Sequence, residues 1–158
     1  MYGARIHAAI LALVTATSVW AMDTPKPEPK KDPKDPAMEQ ARAAIAKEDW
    51  TRAQGVLREA VARNPQDASA HNLYAYSLRR GPNPSMDLVF RHYNEALRID
   101  PNLRAAHEYL GEAYLMSGNV PKAKEHLAVL DRLCTFGCEE FSKLKKEIAL
   151  HEQQHAKK

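Results

Sequence analysis

Cysteine is scarce in this 158-residue chain, net charge is low, and no apolar run is long enough for a membrane span. The first cysteine is Cys134, so a lipid anchor near the N-terminus lacks its acceptor thiol. The most apolar stretch, Ala8 to Ala21, is 14 residues long. As a helix it reaches roughly 21 Å against a hydrocarbon core near 30 Å, which argues against stable membrane insertion. No Gly-rich phosphate loop and no Gly-x-Ser-x-Gly elbow is present, which removes two common enzyme signatures. The formal net charge is only +3. Lysine and glutamate interleave in Lys122-Ala-Lys-Glu and Lys143-Leu-Lys-Lys-Glu, the pattern of solvated helix faces and not of a basic stripe, so no nucleic-acid partner is expected.

What is there begins with two segments that lie apart from any fold. Residues 1–21 carry Arg5, an apolar run from Ala8 to Val14 and a small-x-small exit at Val19-Trp20-Ala21, the order of a cleaved secretory signal. A retained anchor is the rival reading, disfavoured by its length. Residues 22–36 hold five of the ten prolines among lysines and acids, with no large apolar residue beyond Met22. Such a segment buries too little surface to offset its ordering entropy and reads as an extended linker, or else as a docking peptide for a proline-binding partner. Loss of Arg5 leaves a charge of +2, and the export signal predicts a periplasmic or secreted protein.

Residues 37–158 suffice for one domain. Ala106-His107-Glu108-Tyr109-Leu110-Gly111-Glu112-Ala113-Tyr114, then Gly118-Asn119-Val120-Pro121-Lys122-Ala123, reads as two amphipathic helices split by a Gly-Asn stop. Ala60-Val61-Ala62-Arg63-Asn64-Pro65 recurs as Ala96-Leu97-Arg98-Ile99-Asp100-Pro101. The two prolines stand 36 residues apart, and Gly81-Pro82-Asn83-Pro84 has room for two residues beyond a repeat of about 34. Asp35-Pro36, Asp49, Asp67, Asn83-Pro84 and Asn102 are the expected helix starts. Three hairpins result, at about 37–67, 68–103 and 104–135. A terminal helix at about 138–155 places Phe141, Leu144, Ile148 and His151 on one face.

This spacing resembles the tetratricopeptide repeat, with His107, Leu110, Gly111, Ala113, Tyr114, Gly118, Ala123 and Leu127 at the repeat's marker places. Leu130 is larger than the usual alanine, and Thr135 replaces the closing proline. The chain is also similar to small exported tetratricopeptide proteins of proteobacteria. The resemblance implies an all-α, right-handed superhelical array of three hairpins closed by a capping helix, working as a non-enzymatic protein-interaction module. It further implies a concave groove lined by first-helix residues: Arg42, then Asn72, Tyr76 and Arg79, then Glu108, Glu112 and Leu115. These suit an extended peptide or a partner helix. Met38 and Arg42 stand where some relatives carry a lysine and asparagine clamp for chaperone tails, so that ligand is not implied. The competing reading is that the groove residues merely solvate a surface used for self-association.

Three other motifs invite chemistry. His151-Glu152-Gln153-Gln154-His155 fits H-E-x-x-H, but the chain ends three residues later with no further ligand, so no metal site is expected. Cys134 and Cys138, four apart, are too distant for a disulfide along an unbroken helix. A left-handed Gly137 lets the chain fold back and join them, pinning the terminal helix. The alternative is a thiol pair for redox exchange or copper, since C-x3-C resembles the copper motif of cytochrome oxidase assembly factors. Glu108 and Glu112, four apart, are expected to form a solvent-facing acidic strip with nothing apolar around them to raise a pKa. No cofactor is expected.

Overall fold

The protein was described from a computed structural model in which residues 35–156 are defined. The expected signal and nearly all of the linker lie outside them. Seven helices occupy the described residues: α1 (Pro36–Ala46), α2 (Trp50–Arg63), α3 (Ala68–Arg80), α4 (Met86–Ile99), α5 (Arg104–Met116), α6 (Val120–Leu133) and α7 (Glu139–His155). The domain is all-α. None of these helices is long and apolar enough to cross a membrane.

Local chemistry sets most of the boundaries. The Asp35 carboxylate accepts from the Ala37 amide with Pro36 in the first turn, and Asp49, Asp67 and Asn119 accept from the amides of Arg52, Ala70 and Lys122. Two expected starts are corrected. Asn83-Pro84 does not open α4, which begins at Met86 after Ser85, because the inserted residues are spent in the 81–85 loop. Asn102 does not cap α5. Its amide instead donates to Asp100 Oδ1 at 3.0 Å, a tight side-chain turn that delays the helix to Arg104. Gln66 on Asn64 makes the same turn one repeat earlier.

The helices pair as hairpins, α1 with α2, α3 with α4 and α5 with α6, and each first helix also packs on the preceding first and second helices. α7 continues this rule against α5 and α6. The core follows the stack in three clusters, centred on Leu57, then Tyr93 with Leu110, then Leu130 with Leu144. Stability therefore resides in contacts between neighbours and not in one central core. At Gly111 α7 packs close, since a Cβ there would lie 2.6 Å from a Leu144 methyl.

Candidate functional site

The first-helix face is where the groove residues meet, but burial divides them. Arg42 of α1 is exposed, and Asn72, one turn into α3, is buried with its Oδ1 lacking a hydrogen-bond partner. With Leu73 and Tyr109 they line a hollow of about 210 Å³ between α1, α3 and α5. Beside it Tyr76 stands edge-on to Trp50 (centroids 6.0 Å) and tilts against Tyr109 (4.7 Å). The Arg79 guanidinium carbon lies 5.6 Å from the Tyr76 ring and 5.9 Å from the Tyr109 ring, while Arg80 lies 5.7 Å over Trp50. The result is a ledge of edge-on and tilted rings with two guanidinium groups against them.

Arg79 is less available than a groove-lining residue is expected to be. It is 8 % exposed, pairs with Glu112 through Nη2–Oε2 at 2.5 Å, and its Nε donates toward the Tyr93 hydroxyl at 3.5 Å. Its charge is already matched inside the protein. A second hollow, about 410 Å³, lies beyond it among Arg79, Arg80, Glu112, Leu115, Met116 and four α7 residues, Glu147, Leu150, His151 and Gln154. Met116 is exposed, Leu115 buried. The contribution of α7 to this wall was missed from sequence, where the terminal helix is read only as a cover.

The acidic strip is likewise corrected. Glu108 is 4 % exposed and faces the first turns of α7, and burial, with Glu112 next to it, pushes its carboxyl up to about 7. The sequence predicts the terminal helix as a cap; what it does not foresee is that α7, closing over α5, buries Glu108. Glu108 therefore lies away from the open part of the groove.

A second constellation repeats inside the second and third hairpins. His71 Nε2 donates to the Pro65 carbonyl (3.2 Å), and its Nδ1 meets His92 Nδ1 at 2.9 Å. His107 does the same with the Pro101 carbonyl (3.0 Å) and His126 (2.9 Å). A carbonyl only accepts, so Nε2 of each first-helix imidazole carries the hydrogen, and in the neutral ring Nδ1 is left as the acceptor for its partner. Each unit ties the closing turn of one repeat to both helices of the next. Burial, then the neighbouring imidazole, lowers His92 and His126 to about 4. The sequence signal was available in four histidines at repeat spacing, but only His107 drew notice there.

The remaining motifs resolve by geometry. His151 and His155 stack with centroids 4.1 Å apart and His155 Nδ1 donates to the His151 carbonyl, so the rings lie flat on each other and do not converge on a common point. Among the described residues no three His, Cys, Asp or Glu side chains are placed to hold a metal. Gly137 takes the left-handed conformation (φ 82°) and brings the Cys134 and Cys138 sulfurs to 2.04 Å, with Phe136 fully exposed at the tip of the loop.

Comparison with known proteins agrees with this architecture. Residues 38–85 match the family model described as "Tetratricopeptide repeat". A search of curated proteins finds no match. The solved structure described as "TPR2B-domain:pHsp70-complex of yeast Sti1" is similar, with a TM-score of 0.66 and 23% identity over 75% of this chain and 94% of that one. That likeness establishes the fold.

Proposed function

We propose that the protein is an exported, non-enzymatic interaction module that holds an extended segment of another protein along its first-helix face. The observation that carries this reading is the Asn72 side chain, buried beside exposed Arg42 with its Oδ1 unpaired at a hollow next to the Trp50, Tyr76 and Tyr109 ledge. A buried acceptor without a donor costs about 1–3 kcal/mol, and a peptide N–H supplies the missing bond. Arg42 then takes a carbonyl or carboxylate of the same segment, and the ledge takes an apolar or aromatic side chain. The yeast domain of like fold is itself in a complex with pHsp70, which supports a protein partner in general terms. The first hairpin has Met38, buried in the core, and exposed Arg42 at the places of the chaperone-tail clamp, so a chaperone tail is not the ligand we assign.

Panning the immobilised chain against a phage-displayed random peptide library tests the reading. Selected peptides, measured by fluorescence anisotropy, should bind Arg42→Ala and Tyr76→Ala about 5- to 150-fold more weakly, matching about 1–3 kcal/mol. Parent-like binding by both variants removes the groove assignment. Arg79→Ala is not a clean probe, because it strands Glu112 and the Tyr93 hydroxyl and should lower stability.

Export rests on residues 1–21, and the intact mass of protein recovered from the periplasm should begin at Met22. Uncleaved chain in a membrane fraction contradicts it. In an oxidising compartment the Cys134 and Cys138 thiols are joined, steadying the α6–α7 turn by about 2 kcal/mol. Two reactive thiols in denaturant without reductant would return the pair to redox or metal chemistry.

A further inference from the structure

A complete first helix in this array packs on the two helices before it and on its own second helix, as α5 packs on α3, α4 and α6 besides the α7 that follows. α7 packs on α5 and α6 alone, and no helix follows it among the described residues. Its register is nonetheless that of a first helix, with Phe141, Leu144 and Ile148 standing 34 residues after His107, Leu110 and Tyr114. In α5, His107 and Tyr114 meet α6 through His126. In α7 the corresponding Phe141 and Ile148 border a hollow of about 500 Å³ whose other wall is Leu127 and Ala128 of α6. The seat for a second helix is present and apolar.

The charges around that seat select its occupant. Lys124 and Lys145 are balanced by Asp131 and Glu152, so a strongly acidic or basic partner gains nothing there. A second α7 does gain. Laid antiparallel about a two-fold axis midway between Ile148 and Ala149, it sets Lys145 of each copy opposite Glu152 of the other and brings Ile148 onto Ala149. Within its own chain Lys145 lies over the Phe141 ring while Glu152 pairs with Lys124, so Lys145 is the cation still without a carboxylate partner among the described contacts. In each hairpin the second helix runs antiparallel to the first, so the direction given by a two-fold axis perpendicular to α7 is the one the fold already uses at this seat.

We propose that two copies of the chain associate through their α6–α7 end faces, each α7 filling in the other copy the place of the missing second helix. The contact is isologous and closes at two copies, so it does not propagate into a filament. Leu150 and His151, which wall the groove-side hollow, lie outside the seat, and the first-helix face stays open.

Sedimentation equilibrium of the full chain over a wide concentration range tests this. A reversible dimer is expected. Lys145→Glu and Glu152→Lys each place like charges across the axis twice and should raise the dimer dissociation constant about tenfold or more. The double variant, which restores opposite charges with the signs exchanged, should return it close to the parent value. Circular dichroism on each variant checks that helical content is retained. A monomer at all concentrations overturns the proposal, as does a dimer indifferent to both single variants or a double variant no tighter than the singles.

Discussion

In the second hairpin the groove positions are Asn72, Tyr76 and Arg79; thirty-six residues later they are Glu108, Glu112 and Leu115. The interiors behind them are nearly the same, each held by an imidazole pair hung from a proline carbonyl. The faces are not. Asn72 borders an open hollow, whereas Glu108 lies against α7 with its carboxyl pushed up to about 7. Packing between helices repeats because each layer must bury the same kind of surface, while the outer face depends on what happens to cover it. Position in a repeat therefore predicts burial well, since Asn72 and Glu108 are equally buried, and predicts neighbours badly.

Removing the cover should make the third hairpin behave like the second. Leu144→Ala deletes a fully buried side chain that packs on Gly111 and should cost about 2–5 kcal/mol in urea denaturation. With α7 loosened, the Glu108 carboxyl should return toward the ordinary range near 4.5, read by NMR titration. An unchanged titration would mean that α7 is not the cause.

Acid should strike the shared interiors. His92 and His126 are held near 4 in the fold against 6.5 when unfolded, so below about 6.5 the unfolded chain binds more protons. Stability is complete above that pH and falls through the window from 6.5 to 4. One proton per pair can sit on the outward Nε2 of the second-helix ring, but a second must enter between two Nδ1 atoms 2.9 Å apart. After discounting for partial exposure, about 1–2 kcal/mol should be lost per pair, and His126→Phe should remove the share of the third hairpin alone.

Glu108 acts with the opposite sign. The fold keeps its proton up to about 7 while the unfolded chain gives it up near 4.5, so stability falls as pH rises between those values. Glu108→Asn, which installs the residue of the second hairpin, should stabilise by about 1 kcal/mol at pH 8 and leave the histidine slope uncancelled. Equal stability of parent and variant at pH 5 and pH 8 contradicts the assignment.

The smallest expected effects concern turns. Glu48 adopts φ 55° at the bend of the first hairpin, where the third has Gly118 at φ 73°. Glu48→Gly should raise thermal stability by about 0.5–1 kcal/mol as left-handed strain is relieved.

The sequence showed the helices because alanine spacing, caps and proline stops are local signals, and it ordered the hairpins because those signals recur. Asn83 misled because the inserted residues carry the loop on to Ser85, and Asn102 because Asp100 had already captured its backbone amide. Placement of Arg42, Asn72 and Tyr76 on one face followed from repeat register. The ion pair of Arg79 with Glu112, 33 residues apart, did not, since nothing local states which arginine rotamer meets which carboxylate. The histidine units were missed for the same reason, their partners lying on different helices.

The central claim is that the first-helix face between α1, α3 and α5 binds an extended peptide. It is tested most directly by titrating a library-selected peptide into the isotope-labelled chain and mapping amide shifts by NMR. The account predicts the largest shifts at Arg42, Asn72, Leu73, Tyr76 and Tyr109. Shifts confined to α2, α4 or the outer surface of α6 would contradict it.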